Sequence, residues 1–246
     1  MAQCSYLDGF VSGRIKNDGK LNLILRKQVP IYGTRNKAGA IGSERFFTQI
    51  SGRIDGKIVI NSNSVKIHSK EAFQGMRNVG KLAAELLDLF VDKVNPGITT
   101  KSLDTYAYEF IMDNGAIPAP LNYRGFTKSI CTSINHVICH GIPSDRILDE
   151  GDIVNIDVTL ILDGWHGDTS RMYSAGDPSI KARKLINNTY DSMMLGINSI
   201  KPGLKLGDLG SIIQNNAEKN NYSVVREFCG HGLGQVFHDE PNILHY

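Results

Sequence analysis

The stretch Asn155-Ile156-Asp157-Val158-Thr159-Leu160-Ile161-Leu162-Asp163-Gly164-Trp165-His166-Gly167-Asp168-Thr169-Ser170-Arg171 decides how this chain is read. Ile153 to Leu162 has the composition of a strand. Asp163-Gly164 is a turn dipeptide that sends the chain back into a second strand through Met172 and Tyr173. Alternation puts Asp157 on one face of its strand and Ile156 and Val158 on the other. Asp168 lies just past the turn, close enough for both carboxylates to approach one point. Two acids forced together repel unless a cation lies between them, and oxygen-rich sites suit hard or borderline divalent ions. The plainer alternative is two surface acids flanking a turn. The hairpin alone does not choose between them.

Outward from this hairpin the chain turns helical on both sides. Met76, Val79, Gly80, Ala83, Leu86, Leu87 and Phe90 recur at helical spacing, with Ser69 as the start signal and Asn95-Pro96-Gly97 as the stop. Thr100 to Met112 is a second amphipathic helix, closed by Asn114-Gly115. Downstream, Lys181 to Ile200, the break Lys201-Pro202-Gly203, and Leu206 to Lys219 repeat the theme. Each helix pair is followed by an apolar stretch and a histidine-glycine, His140-Gly141 and His231-Gly232. The echo suggests a duplicated unit with a site between its copies.

The histidines strengthen the case for chemistry at the acidic pair. Glycines flank His231 in Gly230-His231-Gly232-Leu233-Gly234, which permits a sharp turn and close approach of backbone to a ligand. Phe237-His238-Asp239-Glu240-Pro241 follows closely. A lone histidine is more often a core or surface residue. Here four accompany the acidic pair: His136 four residues before His140, His140 and His231 each followed by glycine, and His238 just ahead of Glu240-Pro241, and an imidazole nitrogen is a common metal ligand.

Composition bounds the rest. With 246 residues, 41% hydrophobic and 21% charged, the chain can bury one large core, or a medium one plus an appendage. No stretch of eighteen apolar residues appears, so no membrane span is expected. Met1 to Gly9 lacks a basic-then-apolar leader. Cys4, Cys131, Cys139 and Cys229 show no C-x-x-C spacing, which fits a reducing cytoplasm. Residues 1–64 hold ten Lys or Arg against four Asp or Glu and so carry +6, leaving −4 for the remainder of a chain whose net charge is +2. This basic head reads as short strands and turns, with a hairpin over Thr48 to Ile60 around Asp55-Gly56 and a polar linker at Asn61 to Ser64. It could meet ribosomal RNA or another polyanion. A solvated charged surface is the commoner explanation.

From about residue 66 to 246 the chain resembles the type I methionine aminopeptidases of peptidase family M24. The resemblance rests on Ala119-Pro120-Leu121-Asn122-Tyr123, Lys128-Ser129-Ile130-Cys131-Thr132-Ser133-Ile134-Asn135, Cys139-His140-Gly141-Ile142-Pro143, the two aspartate runs and the two histidine motifs. It implies an α+β pita-bread fold of duplicated ααββ halves around two divalent metal ions, with cobalt, manganese, iron and zinc all compatible. It also implies roles: Asp157 and Asp168 as metal ligands, the latter bridging, with His231 on the second ion. His140 and His238 would hydrogen-bond substrate or intermediate, and Tyr123, Phe126, Cys131 and Phe237 would line a methionine pocket. Cys131 and Phe237 would look the same in sequence as ordinary core residues.

Two departures from the family qualify the expectation. A pair of glutamate ligands that the family places further on falls after His245-Tyr246, so residues 65–246 are expected to be a C-terminally incomplete catalytic domain. Residues 1–64 are an additional β-rich extension of unknown function, and a single Cys4 cannot build a cysteine-rich zinc module. The expected function is metal-dependent removal of the initiator methionine from nascent chains with a small second residue, by a cytoplasmic monomer, or an inactive form of that enzyme. The rival from another class is a non-catalytic pita-bread protein bound to ribosome or RNA. A prolidase or aminopeptidase P is a further enzyme reading, which the stretch around Cys131 and the absence of a long N-terminal domain disfavour.

Overall fold

The computed structural model describes residues 59–60 and 65–246. The expected hairpin around Asp55-Gly56 and the linker at 61–64 lie outside the described residues. Val59–Ile60 (β1) pairs antiparallel with Lys66–Ile67 (β2), joining the chain on either side of that linker.

The first half opens with a helix whose start is fixed by a cap. Ser69 has extended backbone, and its Oγ accepts from Ala72 N at 3.2 Å, satisfying one orphan donor of Lys70–Leu89 (α1). Val79, Leu82, Ala83, Leu86 and Leu87 recur every three or four residues and form the buried stripe of α1. The helix tightens into a 3-10 turn at Phe90–Asp92, before the Asn95-Pro96-Gly97 break is reached. Thr99 caps Thr100–Asp113 (α2) in the same way, accepting from Ser102 N at 3.1 Å.

Behind these helices stands a four-stranded antiparallel sheet. Its centre is Ile153–Leu162 (β5), which pairs along one edge with Ile117–Pro118 (β3) and Ile130–Ile134 (β4) and along the other with Trp165–Ser174 (β6). The β5–β6 hairpin turns on Asp163 and Gly164, both at positive φ (51° and 79°), which matches the right-handed twist of the flanking strands. Val154, Ile156, Val158 and Leu160 face α1 and α2 and join their apolar stripes in the larger core. At Gly167 an added Cβ would stand 2.7 Å from Val79 O, so glycine is what lets α1 lie against β6. Leu86 is wholly buried in this core. Leu86→Ala is expected to lower the free energy of unfolding by about 3 kcal/mol at unchanged urea m-value.

The second half repeats the helical pair. Ser179 caps Ile180–Ser199 (α3) through Ala182 N, and Leu206–Lys219 (α4) returns alongside it. A smaller core gathers Met193, Leu209, Ile213 and Ile243. The short hairpin Gly230–Gly232 (β7) and Asp239–Ile243 (β8) follows, with His231 opposite Asn242 and a register irregularity after His231. Among the described residues no helix is long and apolar enough to cross a membrane.

Candidate metal and peptide site

The sheet's second face is polar yet covered. In the ladder Asp157 stands opposite Ser170 on one side and Cys131 on the other, and Thr159 stands opposite Asp168. Opposed residues share a face, so Asn155, Asp157, Thr159, Asp168, Ser170, Cys131 and Ser133 form one patch away from the helical core. Asp157 and Asp168 are diagonal neighbours on adjacent strands, a placement that separates Cβ atoms by about 7 Å or somewhat less. Exposure is only 3% at Asp157 and 2% at Asp168. A polar strand face normally meets water. This one is buried, and that is the feature demanding explanation.

The second half supplies the cover. Met172, on the same face of β6, packs into the smaller core with Met193, Leu209, Ile213 and Ile243. At the other end of the face, His166 donates from its backbone N to Gly234 O at 2.8 Å. Its ring Nδ1 reaches the same oxygen at 3.0 Å. Burial pushes the His166 imidazole below its ordinary pKa, against the opposing pull of that carbonyl. Between these two anchor points the covering segment carries His231, which is fully buried. His231 Nδ1 lies 2.7 Å from Gly232 O. A carbonyl only accepts, so Nδ1 holds the proton and the lone pair of the neutral ring is on Nε2.

Around His231 runs a chain of rings. His238 lies 4.5 Å from it between centroids, Phe237 4.3 Å from His238, and Tyr123 4.7 Å from Phe237. Tyr123 shares a hydrogen bond of 3.0 Å with His238 Nδ1. Phe126 closes the Tyr123 turn, its N–H donating to Tyr123 O at 3.0 Å while its carbonyl accepts from Asn122 N at 2.7 Å. The structure thus brings Tyr123, His231, Phe237 and His238 together, and separately sets Cys131 beside Asp157. His140, at φ 54°, lies edge-on to Phe228 at 6.2 Å, towards the start of β7. His136 is exposed and takes no place in this arrangement.

The chain matches the profile of metallopeptidase family M24 over residues 74–246. This chain belongs to that family. The M24 chain is 62% identical to the methionine aminopeptidase of Rickettsia prowazekii over 183 residues, 74% of this chain and 71% of the relative. The solved structure of the Rickettsia prowazekii enzyme superposes with a TM-score of 0.73 at 63% identity, covering 74% of this chain and 73% of that one. The solved methionine aminopeptidase of Thermotoga maritima gives 0.72 at 31% identity, covering 74% of each chain. The expected pita-bread fold is therefore the fold of this M24 chain.

M24 membership implies divalent metal ions, and the residues present fit them in kind. Two buried carboxylates and an imidazole with its lone pair on Nε2 are a hard-to-borderline donor set. Thr159 Oγ1, fully buried opposite Asp168, has no hydrogen-bond partner among the described residues, so this floor has polar capacity to spare. Among the described residues, however, no three His, Cys, Asp or Glu side chains are already gathered in metal-holding geometry.

Some supports of the site carried no motif. Asp104 sits on the buried stripe of α2 and accepts from Ser129 N at 2.7 Å and Ile130 N at 3.2 Å, fixing the start of the strand that bears Cys131. An acid inside an apolar helical stripe was the available signal. Lys66 pairs with Asp239 at 2.5 Å across 173 residues of sequence, tying β2 to the ring-bearing segment, and nothing in the sequence announced it.

Tyr123→Phe removes only the hydroxyl at His238. Peptide turnover is expected to fall about five-fold, the effect of one hydrogen bond, and steady-state kinetics against the unaltered chain would measure it.

Proposed function

We propose that this M24 chain removes the N-terminal methionine from polypeptides whose second residue is small, with divalent metal ions held by Asp157, Asp168 and His231. The observation that carries the reading is the covered polar floor, two aspartates and a cysteine, overlain by a segment rich in imidazole and aromatic rings. Bound metal ions would polarise the scissile carbonyl and activate a water. The chain's own residues would do the rest. Cys131, Tyr123, Phe126 and Phe237 would enclose the substrate side chain, an apolar and polarisable lining that suits a thioether. When the Tyr123 hydroxyl donates to Nδ1, His238 carries its proton on Nε2, the tautomer able to hold a carbonyl oxygen. His140 would contact the peptide from the opposite loop.

In this reading residues 65–246 are the catalytic unit and residues 1–64 a basic extension carrying +6. The chain acts as a monomer on nascent polypeptides.

The test is direct. The full chain is stripped with chelator, reloaded separately with Co, Mn, Fe or Zn, and offered Met-Ala-Ser and an Xaa-Pro peptide. Free methionine from the first substrate alone, dependent on metal, is the expected result. No methionine with any ion would overturn the proposal, and preference for the Xaa-Pro peptide would move the chain to the prolidase class.

A further inference from the structure

His166 stands two residues before Asp168 on the same face of β6, and no role in chemistry has been assigned to it. Three observations meet at its ring. Its backbone N–H and its Nδ1 both engage Gly234 O, at 2.8 Å and 3.0 Å. Because the carbonyl accepts only, Nδ1 is the protonated nitrogen. Its ring lies nearly parallel to Phe237, at 20° and 5.5 Å between centroids. Gly234 is the pivot of the covering segment, three residues after His231 and three before Phe237. A single backbone bond would hold that peptide at one point and leave its plane free to tilt. Two donors from one residue use both lone pairs of the oxygen and fix its orientation as well.

We propose that His166 is a positioning residue: its Nδ1–H bond to the Gly234 carbonyl clamps the segment carrying Phe237 and His238 onto the strand that carries Asp168, and so sets the width of the substrate pocket. The proposal rests on the reading of Phe237 as a pocket wall. Loosening the clamp moves that wall while leaving the carboxylates in the sheet. The loss therefore falls on substrate binding more than on the chemical step.

Two substitutions in the full chain separate the bond from the ring. His166→Asn keeps an amide donor at the Nδ1 position and loses the stack on Phe237. His166→Phe keeps the stack and loses the donor. The chain's single tryptophan, Trp165, packs beside Gly234, where an added Cβ would lie 3.7 Å from the indole. Acrylamide quenching of Trp165 therefore reports on the clamp without any catalysis. With His166→Phe, quenching is expected to rise about two-fold and KM for Met-Ala-Ser about five-fold, the scale of one hydrogen bond, with kcat within about two-fold. His166→Asn should restore both quenching and KM to within about two-fold of the unaltered chain. If the two variants behave alike, or if His166→Phe lowers kcat at constant KM, the clamp is refuted. Should the unaltered chain release no methionine, the pocket reading falls, and the quenching comparison by itself supports or refutes the clamp.

Discussion

Asp168→Asn is expected to reduce methionine release by at least about a thousand-fold while leaving the metal-free chain as stable as before, or more so. The two halves of this expectation have separate causes. Asp168 is 2% exposed and diagonal to Asp157, so in the absence of a cation two carboxylates share one covered face of the sheet. Asparagine has the same shape and removes one of the like charges, which relieves repulsion rather than opening a cavity. The same change removes the charge that would hold a divalent ion and present it to the scissile bond, and losses of this kind fall on the transition state. Calorimetric titration with metal should show weakened uptake, and thermal melting in chelator should show an unchanged or raised midpoint. Unchanged turnover would defeat the assignment of Asp168. A sharply lowered midpoint in chelator would instead make it a structural group.

Gly141→Ala is expected to cost about 3 kcal/mol of stability and most of the activity together. An added Cβ there would collide with Thr132 O and lie 2.8 Å from Thr132 C and 3.0 Å from Ser133 Cα. All three are backbone atoms of β4, a strand locked to the centre of the sheet, so the loop must give instead. Lifting it breaks the bond from Thr132 N to Gly141 O at 2.8 Å and that from Gly141 N to Ser133 Oγ at 3.2 Å, and it carries His140 away with it. Gly203→Ala provides the comparison. That residue sits at φ 91° with nothing within 4 Å of an added Cβ, so strain alone should cost about 1 kcal/mol there. Urea melts of the two variants give the difference. Equal costs would remove the steric argument at Gly141.

Local signals in the sequence translated faithfully into structure where they were strong. The strand Ile153–Leu162 and the helix Leu206–Lys219 occupy the residues their patterns indicate, and Ser69 caps α1. Each is set by side chains within a few positions of one another. The end of α1 was harder. The Asn95-Pro96-Gly97 break marks where helix is forbidden, whereas the α-helix tightens six residues sooner, after Leu89. The aspartates and His231 stood out as motifs, but the burial of their whole sheet face did not. Alternation in β5 reads as one apolar and one solvated face, and only Met172 and His166, meeting residues far along the chain, reveal the cover. The Lys66–Asp239 pair and the double bond to Gly234 O were illegible for the same reason: they are properties of the closed fold, with no periodic trace in the sequence.

Among the described residues the apolar interior is divided. One cluster belongs to α1, α2 and their sheet, the other to α3, α4 and Ile243, and the polar floor lies where they meet. Each half holds itself together by burial, while the join relies on Met172, the rings of Tyr123 and His166 against Phe237 and His238, and a few polar bonds. Gentle loosening should therefore part the halves before either melts. Catalysis would then be the first property lost, vanishing in urea too dilute to disturb the helical circular dichroism, so that a preparation could pass every test of foldedness and still be inert.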